Sequence, residues 1–252
     1  MSAHPKGTTM HFTSETHLVD DVVERDFVVG DIPGTLWMPA TTSPPVPLIL
    51  LGHPGGLEQM YPRLAARARR AVADGFAAAT IETPGGGDRP TSIAAEQARA
   101  DLRRALQAGR EVSADIVDRL VLPLVEQSVP EWQMAMDRLL ALPDIDGPVG
   151  YSGGVISVGV RLARTEPRIG AAVLFAGSFI PRAILDEARR VTIPLHVLLQ
   201  WDDEHNDRQA ALDLFDAFGS TEKSLHANMG GHTGVPAYAG EDAAGFFVRH
   251  LS

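Results

Sequence analysis

Short apolar runs alternate with amphipathic segments along most of the chain. Five apolar runs predict buried strands, PLILLG, FAAATIE, GPVGYS, AAVLFAG and PLHVLLQ, and EKSLHAN is the last predicted strand. The segments between them have helical periodicity, as in YPRLAARARRAVADG, where Leu64, Ala68 and Val72 share one face and Gly75 ends the helix. This alternation predicts an α/β fold whose mostly parallel sheet, of about eight strands, carries helices on both faces.

Three parts of the chain depart from the alternation. Residues 1–20 are polar and aperiodic, which predicts a loose N-terminal arm, and Glu24–Ala40 predicts an antiparallel hairpin around the DIPG turn. Thr91–Ser128 predicts two extra helices, AAEQARADLRRALQAG and SADIVDRLVLPLVEQ, before the helix VPEWQMAMDRLLAL. These helices form either a packed excursion or a cover that shapes a substrate pocket. We expect a single domain over residues 1–252 with a helical insertion near 91–128.

Composition excludes several classes of function. The net charge of −10 argues against nonspecific nucleic-acid binding, which needs a basic surface. The sequence contains no run of 18 apolar residues, so no membrane span is expected. The N-terminus lacks the apolar core of a secretory signal, so we expect a cytoplasmic protein. The absence of cysteine removes disulfides, thiolate metal sites and a cysteine nucleophile.

One serine lies among glycines where a strand is predicted to pass into a helix. Gly150-Tyr151-Ser152-Gly153-Gly154 matches G-x-S-x-G, with GPVGYS before it and the apolar helix GVISVGVRLAR after it. In such a strand-to-helix turn the serine is lifted clear of the sheet on a strained backbone, and glycines let the strand and helix approach. Ser152 is therefore the candidate nucleophile, which needs an adjacent base.

These motifs resemble the α/β-hydrolase superfamily, over about Asp26–Leu251. The G-Y-S-G-G pentapeptide, the LLGHPGG loop after an early strand and the late GGH carry the resemblance. Within the superfamily the chain is most similar to small carboxylesterases and dienelactone-hydrolase-like proteins. Dienelactone hydrolases use a cysteine, which this chain lacks, so the resemblance favours ester hydrolysis. It implies an α/β-hydrolase fold, no cofactor and no metal, with a small-molecule ester as partner, and it leaves the oligomeric state open.

The order of the superfamily's catalytic residues is nucleophile, acid, histidine. His232, in the glycine-rich NMGGHTGVP after the last strand, is the expected base, whereas His196 lies inside a strand and is expected in the core. The acid is expected in WDDEH, after the LHVLLQ strand. The family's usual count favours Asp203, and Asp202 is the alternative. A metal site in this cluster is disfavoured, because contiguous acidic residues rarely point at one ion.

An oxyanion hole needs backbone N–H groups that point at the substrate carbonyl. One is expected from Gly153, and the resemblance assigns the other to Gly55 in HPGG, with Gly56 or Leu57 as fallbacks, because Pro54 has no N–H. His53 is expected to brace this loop.

Other side chains receive supporting roles. Asp88 and Arg89, in TPGGGDRP, are a possible ion pair within a structural turn, and this glycine-rich segment lacks the Lys-Ser/Thr ending of a phosphate loop. The candidate pocket lining is Leu57, Tyr151, Phe179 and Trp201.

The sequence therefore predicts a serine hydrolase that cleaves small to medium neutral carboxylic esters through an acyl-enzyme on Ser152. A thioesterase, amidase or peptidase would use the same residues. A third alternative is a protein of the same fold that binds small molecules without turnover.

Overall fold

A computed structural model describes residues 9–41, 44–177, 179–204 and 206–252, which form one nine-stranded sheet and seven helices in the described parts. The strands are β1 (Met10–His17), β2 (Val22–Val29), β3 (Ile32–Pro39), β4 (Val46–Gly52), β5 (Ala77–Ile81), β6 (Ile145–Gly153), β7 (Ile169–Phe175), β8 (Leu195–Gln200) and β9 (Lys223–Asn228). The helices are α1 (Leu57–Ala73), α2 (Ile93–Gln107), α3 (Ala114–Leu139), α4 (Ile156–Thr165), α5 (Arg182–Ala188), α6 (Arg208–Ala217) and α7 (Ala237–Leu251).

The sheet confirms the predicted α/β architecture. Its order is β1-β2-β3-β5-β4-β6-β7-β8-β9, with antiparallel pairing from β1 through β3 to β5 and parallel pairing from β5 to β9. The hairpin formed by β2 and β3 is the predicted one. The carboxyl ends of the parallel strands meet at one edge of the sheet, where such folds bind ligands.

The ninth strand lies where a loose arm was expected. Met10–His17 pairs antiparallel with β2, so the prediction is wrong for this part of residues 1–20, whereas residues 1–8 lie outside the described residues. Seven of the eight residues of β1 are exposed, so the segment has no apolar pattern to predict a strand. Its stability comes from the backbone ladder and from contacts such as the Arg25–Glu15 ion pair of 2.7 Å.

The helical insertion also differs from the prediction. Its second helix does not end near Ser128 but continues through the next predicted helix as α3, which is 26 residues long. Pro123 and Pro130 lie on the exposed face of α3. The opposite face carries an unbroken buried stripe, so packing outweighs the helix-breaking tendency of proline. That stripe comprises Val117, Val121, Val125, Ser128, Trp132, Ala135, Met136 and Leu139.

Helices cover the sheet on both faces. One core cluster joins α3, α4, α5 and α6 to the sheet, and the other joins α1 and α7 to its opposite face. Because α3 contributes to the first cluster, the insertion is part of the main core. The short helix α5 was not predicted. Among the described helices, none is both long enough and apolar enough to cross a membrane.

Candidate active site

Ser152 lies near the carboxyl end of the central strand β6. It pairs with Leu51 of β4 and Val173 of β7, and the residue is only 8% exposed. Its backbone φ is not positive, whereas the next two residues, Gly153 and Gly154, have φ of 79° and 72°. The predicted strand-to-helix turn therefore does not strain the backbone of Ser152: positive φ begins one residue later, at glycines, which accept it without strain. The hydroxyl is therefore not lifted clear of the sheet.

The hydroxyl of Ser152 contacts an arginine of α1. Arg67 Nη2 donates to Ser152 Oγ at 2.8 Å and to the Ser152 carbonyl at 2.7 Å, and Nη1 donates to the Gly52 carbonyl at 3.2 Å. Burial lowers the pKa of Arg67 to about 10, and Tyr151 acts in the opposite direction. The guanidinium is thus charged at neutral pH and joins the ends of β4 and β6.

Two glycines allow these strand ends to approach. A Cβ on Gly52 would lie 3.0 Å from Gly154 Cα and 2.5 Å from the Tyr151 hydroxyl. A Cβ on Gly153 would lie 2.9 Å from Arg67 Nη2. The glycine cluster therefore makes room for the backbone of β4 and for the arginine.

Asp203 and His232 meet after the adjacent strands β8 and β9. Nδ1 of His232 lies 2.8 Å from Oδ2 of Asp203, whose side chain is 4% exposed. Asn206 Nδ2 donates to the same carboxylate oxygen at 2.7 Å and lies 3.4 Å from His232 Nδ1. Asp202 is exposed. Asp203 is therefore the carboxylate that orients the imidazole, as a catalytic acid must.

Ser152 and His232 have separate hydrogen-bond partners. Within the residues that the structure describes, no hydrogen bond connects Ser152 with His232. The His232 ring packs edge-on against Phe175, with centroids 5.9 Å apart. Phe175 lies two residues beyond Val173, the sheet partner of Ser152. The histidine thus lies near the end of β7, the strand beside the serine, and a hydrogen bond between the two residues must form before a proton can pass between them.

The loop after β4 is braced as expected. His53 is 3% exposed, and its ring nitrogens lie 2.5 Å from the Gly55 carbonyl and 2.9 Å from the Ile81 carbonyl. Thr83 Oγ1 donates to the same Gly55 carbonyl at 3.3 Å. No acceptor for the Gly55 and Gly56 N–H groups is found within the described parts of the chain. His53 and Thr83 hold the Gly55 carbonyl. Because the C=O and N–H of a trans peptide point in opposite directions, the Gly56 N–H points away from His53 and Thr83.

The neighbouring turn corrects one prediction. Arg89 does not pair with Asp88 but with Glu131 of α3, through contacts of 2.5 and 2.9 Å, and both side chains are largely buried. Glu131 holds the pKa of Arg89 above its ordinary value. The buried Glu82 accepts from the Leu57 N–H at 2.9 Å and so caps α1. These contacts hold the insertion, the turn and the loop after β4 together.

The four candidate pocket residues have different environments. Tyr151 is 1% exposed and packs edge-on against Trp132, and burial raises its pKa. Leu57 and Phe179 are half-buried, and Trp201 is exposed at the surface, with Arg208 stacked 4.3 Å from its ring centroid. Tyr151 borders a cavity of about 20 Å³, room for one water molecule. This cavity is lined by Gly52, His53, Thr83, Leu124, Ser128, Trp132, Tyr151, Val155 and Val158.

Three contributors to the site were not predicted: Arg67, Asn206 and Glu82. Arg67 adjoins the apolar face of α1, next to Ala68, and its position there is the one available sequence signal. Asn206 and Glu82 depend on contacts between separate loops. Across the described residues, no three His, Asp or Glu side chains cluster closely enough to hold a metal ion, and His205 lies outside them.

The chain is similar to solved esterases over its whole length. A cold-adapted esterase from an Arctic intertidal metagenomic library, solved bound to PEG, is 27% identical, with 100% of both chains covered and a TM-score of 0.73. Its native structure is 26% identical over 96% of this chain and 100% of that chain, with a TM-score of 0.69. Acetyl xylan esterase 1 from Thermoanaerobacterium sp. is 14% identical over 96% of this chain and 88% of that chain, with a TM-score of 0.65, and shows the fold alone.

No protein-family model matches the sequence, and no curated protein matches it significantly. The structural similarity confirms the predicted resemblance to α/β-hydrolase-like esterases and supports the predicted enzyme class. The roles of Ser152, Asp203, His232, Gly55 and Gly153 stay predictions.

Proposed function

We propose that the protein hydrolyses carboxylic esters, with Ser152 as nucleophile, His232 as base and Asp203 as the acid that orients it. The observation that carries this proposal is the 2.8 Å contact between buried Asp203 and His232 at the carboxyl edge of an esterase-like sheet. Because Asp203 engages Nδ1, proton exchange is assigned to Nε2 of His232.

The reaction is a two-step acyl transfer. His232 approaches Ser152 and takes the Oγ proton as Oγ attacks the ester carbonyl, and the resulting imidazolium then protonates the leaving alcohol. Water, deprotonated by His232, next attacks the acyl-enzyme and releases the acid and the serine. The approach is assigned to the loop between β9 and α7, which carries His232 and contains Gly230, Gly231 and Gly234.

The N–H groups of Gly55 and Gly153 are the proposed oxyanion hole. Gly55 and Gly56 offer N–H groups without an acceptor in the described chain, and α1 and α4 both begin beside this turn. Helix N-termini favour negative charge, as on the carbonyl oxygen in the transition state. Both the Gly55 and the Gly56 N–H could be the second donor of the oxyanion hole. Gly56→Pro removes only the Gly56 N–H, so a large loss of kcat in this variant would assign the donor to Gly56 and a small one to Gly55.

The proposed substrates are small to medium neutral esters. The net charge of −10 disfavours highly anionic substrates. Thioesters, amides and peptides engage the same three residues, and a panel of p-nitrophenyl esters of increasing acyl length, tested beside the corresponding thioesters and anilides, ranks these classes.

A second function, binding of a small molecule without turnover, is favoured by one observation. The Ser152 hydroxyl is bound by Arg67 and has no hydrogen bond to His232 within the described chain. A protein fixed in this arrangement would lack an activated nucleophile.

Labelling with a fluorophosphonate probe separates the two functions. The esterase proposal expects covalent labelling that is abolished in Ser152→Ala and retained in Ser157→Ala, a matched removal of a buried hydroxyl five residues away. The same two variants should lose and keep p-nitrophenyl acetate hydrolysis. Folded wild-type protein that neither labels nor hydrolyses any member of the panel would favour the binding function instead.

A further inference from the structure

The half-buried Arg67 places a cation next to the candidate nucleophile. The guanidinium of Arg67 contacts Ser152 Oγ, the Ser152 carbonyl and the Gly52 carbonyl at 2.8, 2.7 and 3.2 Å. No carboxylate forms an ion pair with it in the described parts of the chain, whereas the largely buried Arg89 and Arg161 each have one. A buried cation without a counter-ion costs free energy, which negative charge appearing beside it would offset.

The chemistry of the Arg67–Ser152 contact fixes the direction of its hydrogen bond. A guanidinium has only N–H donors, so Ser152 Oγ must accept from Arg67. The single hydroxyl proton is then directed away from the arginine and available to a base. When that proton leaves, the negative charge develops 2.8 Å from a cationic donor, in surroundings from which water is largely excluded.

The local sequence keeps this space for the arginine. A Cβ at position 153 would lie 2.9 Å from Nη2 and 3.2 Å from Nη1 of Arg67, so any residue other than glycine would displace the guanidinium. The glycine after Ser152 is therefore required by Arg67 as well as by its positive φ. The arginine and the serine turn form one packed unit.

We infer that Arg67 is a positioning residue for Ser152, which orients its hydroxyl and stabilises negative charge on Oγ. The catalytic consequence of this inference rests on the proposed esterase function. The electrostatic effect on the side chain at position 152 does not, so it can be measured without turnover.

The test uses a cysteine at position 152 as a reporter of charge. The natural chain has no cysteine, so Ser152→Cys introduces a single thiol, whose ionisation is followed by thiolate absorbance with Ser152→Ala as the blank. Burial alone raises a thiol pKa, whereas a neighbouring cation lowers it. We expect the thiol to titrate at least about one pH unit below its ordinary value near 8.5.

Three further variants in the Ser152→Cys background assign the effect. Arg67→Lys keeps a cation and should retain most of the shift, and Arg67→Met should raise the thiol pKa by at least about one pH unit. Arg63→Met removes an exposed arginine one turn earlier in the same helix and should change nothing. If Arg67→Met does not fold, Arg67→Gln, which is also uncharged, replaces it and should raise the thiol pKa in the same way.

A thiol that titrates at or above 8.5 in Ser152→Cys, or whose pKa is the same with Met as with Arg at position 67, would overturn the inference. With Ser152 intact, Arg67→Met should slow fluorophosphonate labelling by about 10-fold or more, as loss of one charge-assisted hydrogen bond predicts, and Arg67→Lys should restore part of the rate. A lowered thiol pKa in a protein that hydrolyses no ester would reject the proposed function and leave the electrostatic role of Arg67 intact.

Discussion

Oδ2 of Asp203 lies 2.8 Å from Nδ1 of His232, and the two residues follow β8 and β9, which are neighbours in the sheet. Their strands pair in register, from Leu195 opposite Lys223 to Gln200 opposite Asn228, so the loops beyond them leave the sheet at the same height. Parallel pairing thus brings together side chains that are 29 positions apart in the chain.

The first prediction separates the two aspartates. Asp203→Asn should lower kcat for p-nitrophenyl acetate by about 10³- to 10⁴-fold, because the amide no longer stabilises the imidazolium or fixes its tautomer. Asp202→Asn, at the exposed neighbour, is the matched control and should leave kcat within about twofold. Steady-state kinetics of both variants is the measurement, and a larger loss in Asp202→Asn would reverse the assignment.

The second prediction concerns the turn after Ser152. Gly153→Ala should lower the free energy of unfolding by about 2 kcal/mol, because alanine resists a φ of 79° and its Cβ would displace Arg67. Gly245→Ala is the control, since Gly245 lies in α7 with no atom within 4 Å of the added Cβ, and should stabilise the protein by about 0.5–1 kcal/mol. Urea denaturation measures both, and equal effects of the two substitutions would contradict the account.

The third prediction concerns the Arg89–Glu131 ion pair between the insertion and the turn after β5. Replacing either partner alone, as in Arg89→Met or Glu131→Gln, should lower the free energy of unfolding by about 2–4 kcal/mol, because the other charge stays buried without a partner. The double replacement by methionine should recover part of this loss.

A matched control comes from an exposed pair. Asp186→Asn removes the partner of Arg189 at the surface and should leave stability unchanged within error. Single and double variants of Arg89 and Glu131 that are all equally stable would show that this ion pair does not hold the insertion.

The fourth prediction concerns acid stability. Burial, followed by the neighbouring charge of His226 on β9, holds the pKa of His196 below 6.5, with Asp242 of α7 opposing and Arg249 assisting. The unfolded chain therefore binds a proton at position 196 that the folded protein does not. The contribution of His196 to the free energy of unfolding is fully retained above about pH 6.5. It is lost as the pH falls below that value, by up to about 1.4 kcal/mol per pH unit.

Denaturation at pH 7.5 and 5.5 checks this prediction. His196→Gln should lose less stability between the two pH values than the natural protein, and His11→Gln, at an exposed position, should not change the difference. A pH dependence that is the same in His196→Gln would assign the acid sensitivity to other groups.

The sequence predicted the elements of the fold well where an apolar pattern exists. The strands that became β4 to β8 are fully or largely buried, so their runs of apolar residues were sufficient. The strand β1 has no such pattern, because backbone hydrogen bonds to β2 hold it. The length of α3 depends on packing of its buried stripe, which overrides the two prolines.

The candidate site was predicted in part. The glycine pattern was readable from the sequence and the family resemblance placed Asp203 and His232 after their strands, whereas the direction of the Ser152 hydroxyl depends on Arg67, which is 85 positions away. No local pattern encodes a contact between a helix side chain and a strand that are so distant. The pairing of Arg89 with Glu131 instead of Asp88 has the same cause, since α3 passes beside the turn.

Mass spectrometry of the protein, quenched with acid during hydrolysis of p-nitrophenyl acetate, tests directly whether Ser152 is the nucleophile that forms the acyl-enzyme. We expect at most one acetyl group per chain, located on Ser152 by peptide mapping. An acetyl group on another residue of the natural protein, or hydrolysis at the natural rate in Ser152→Ala, would contradict this assignment.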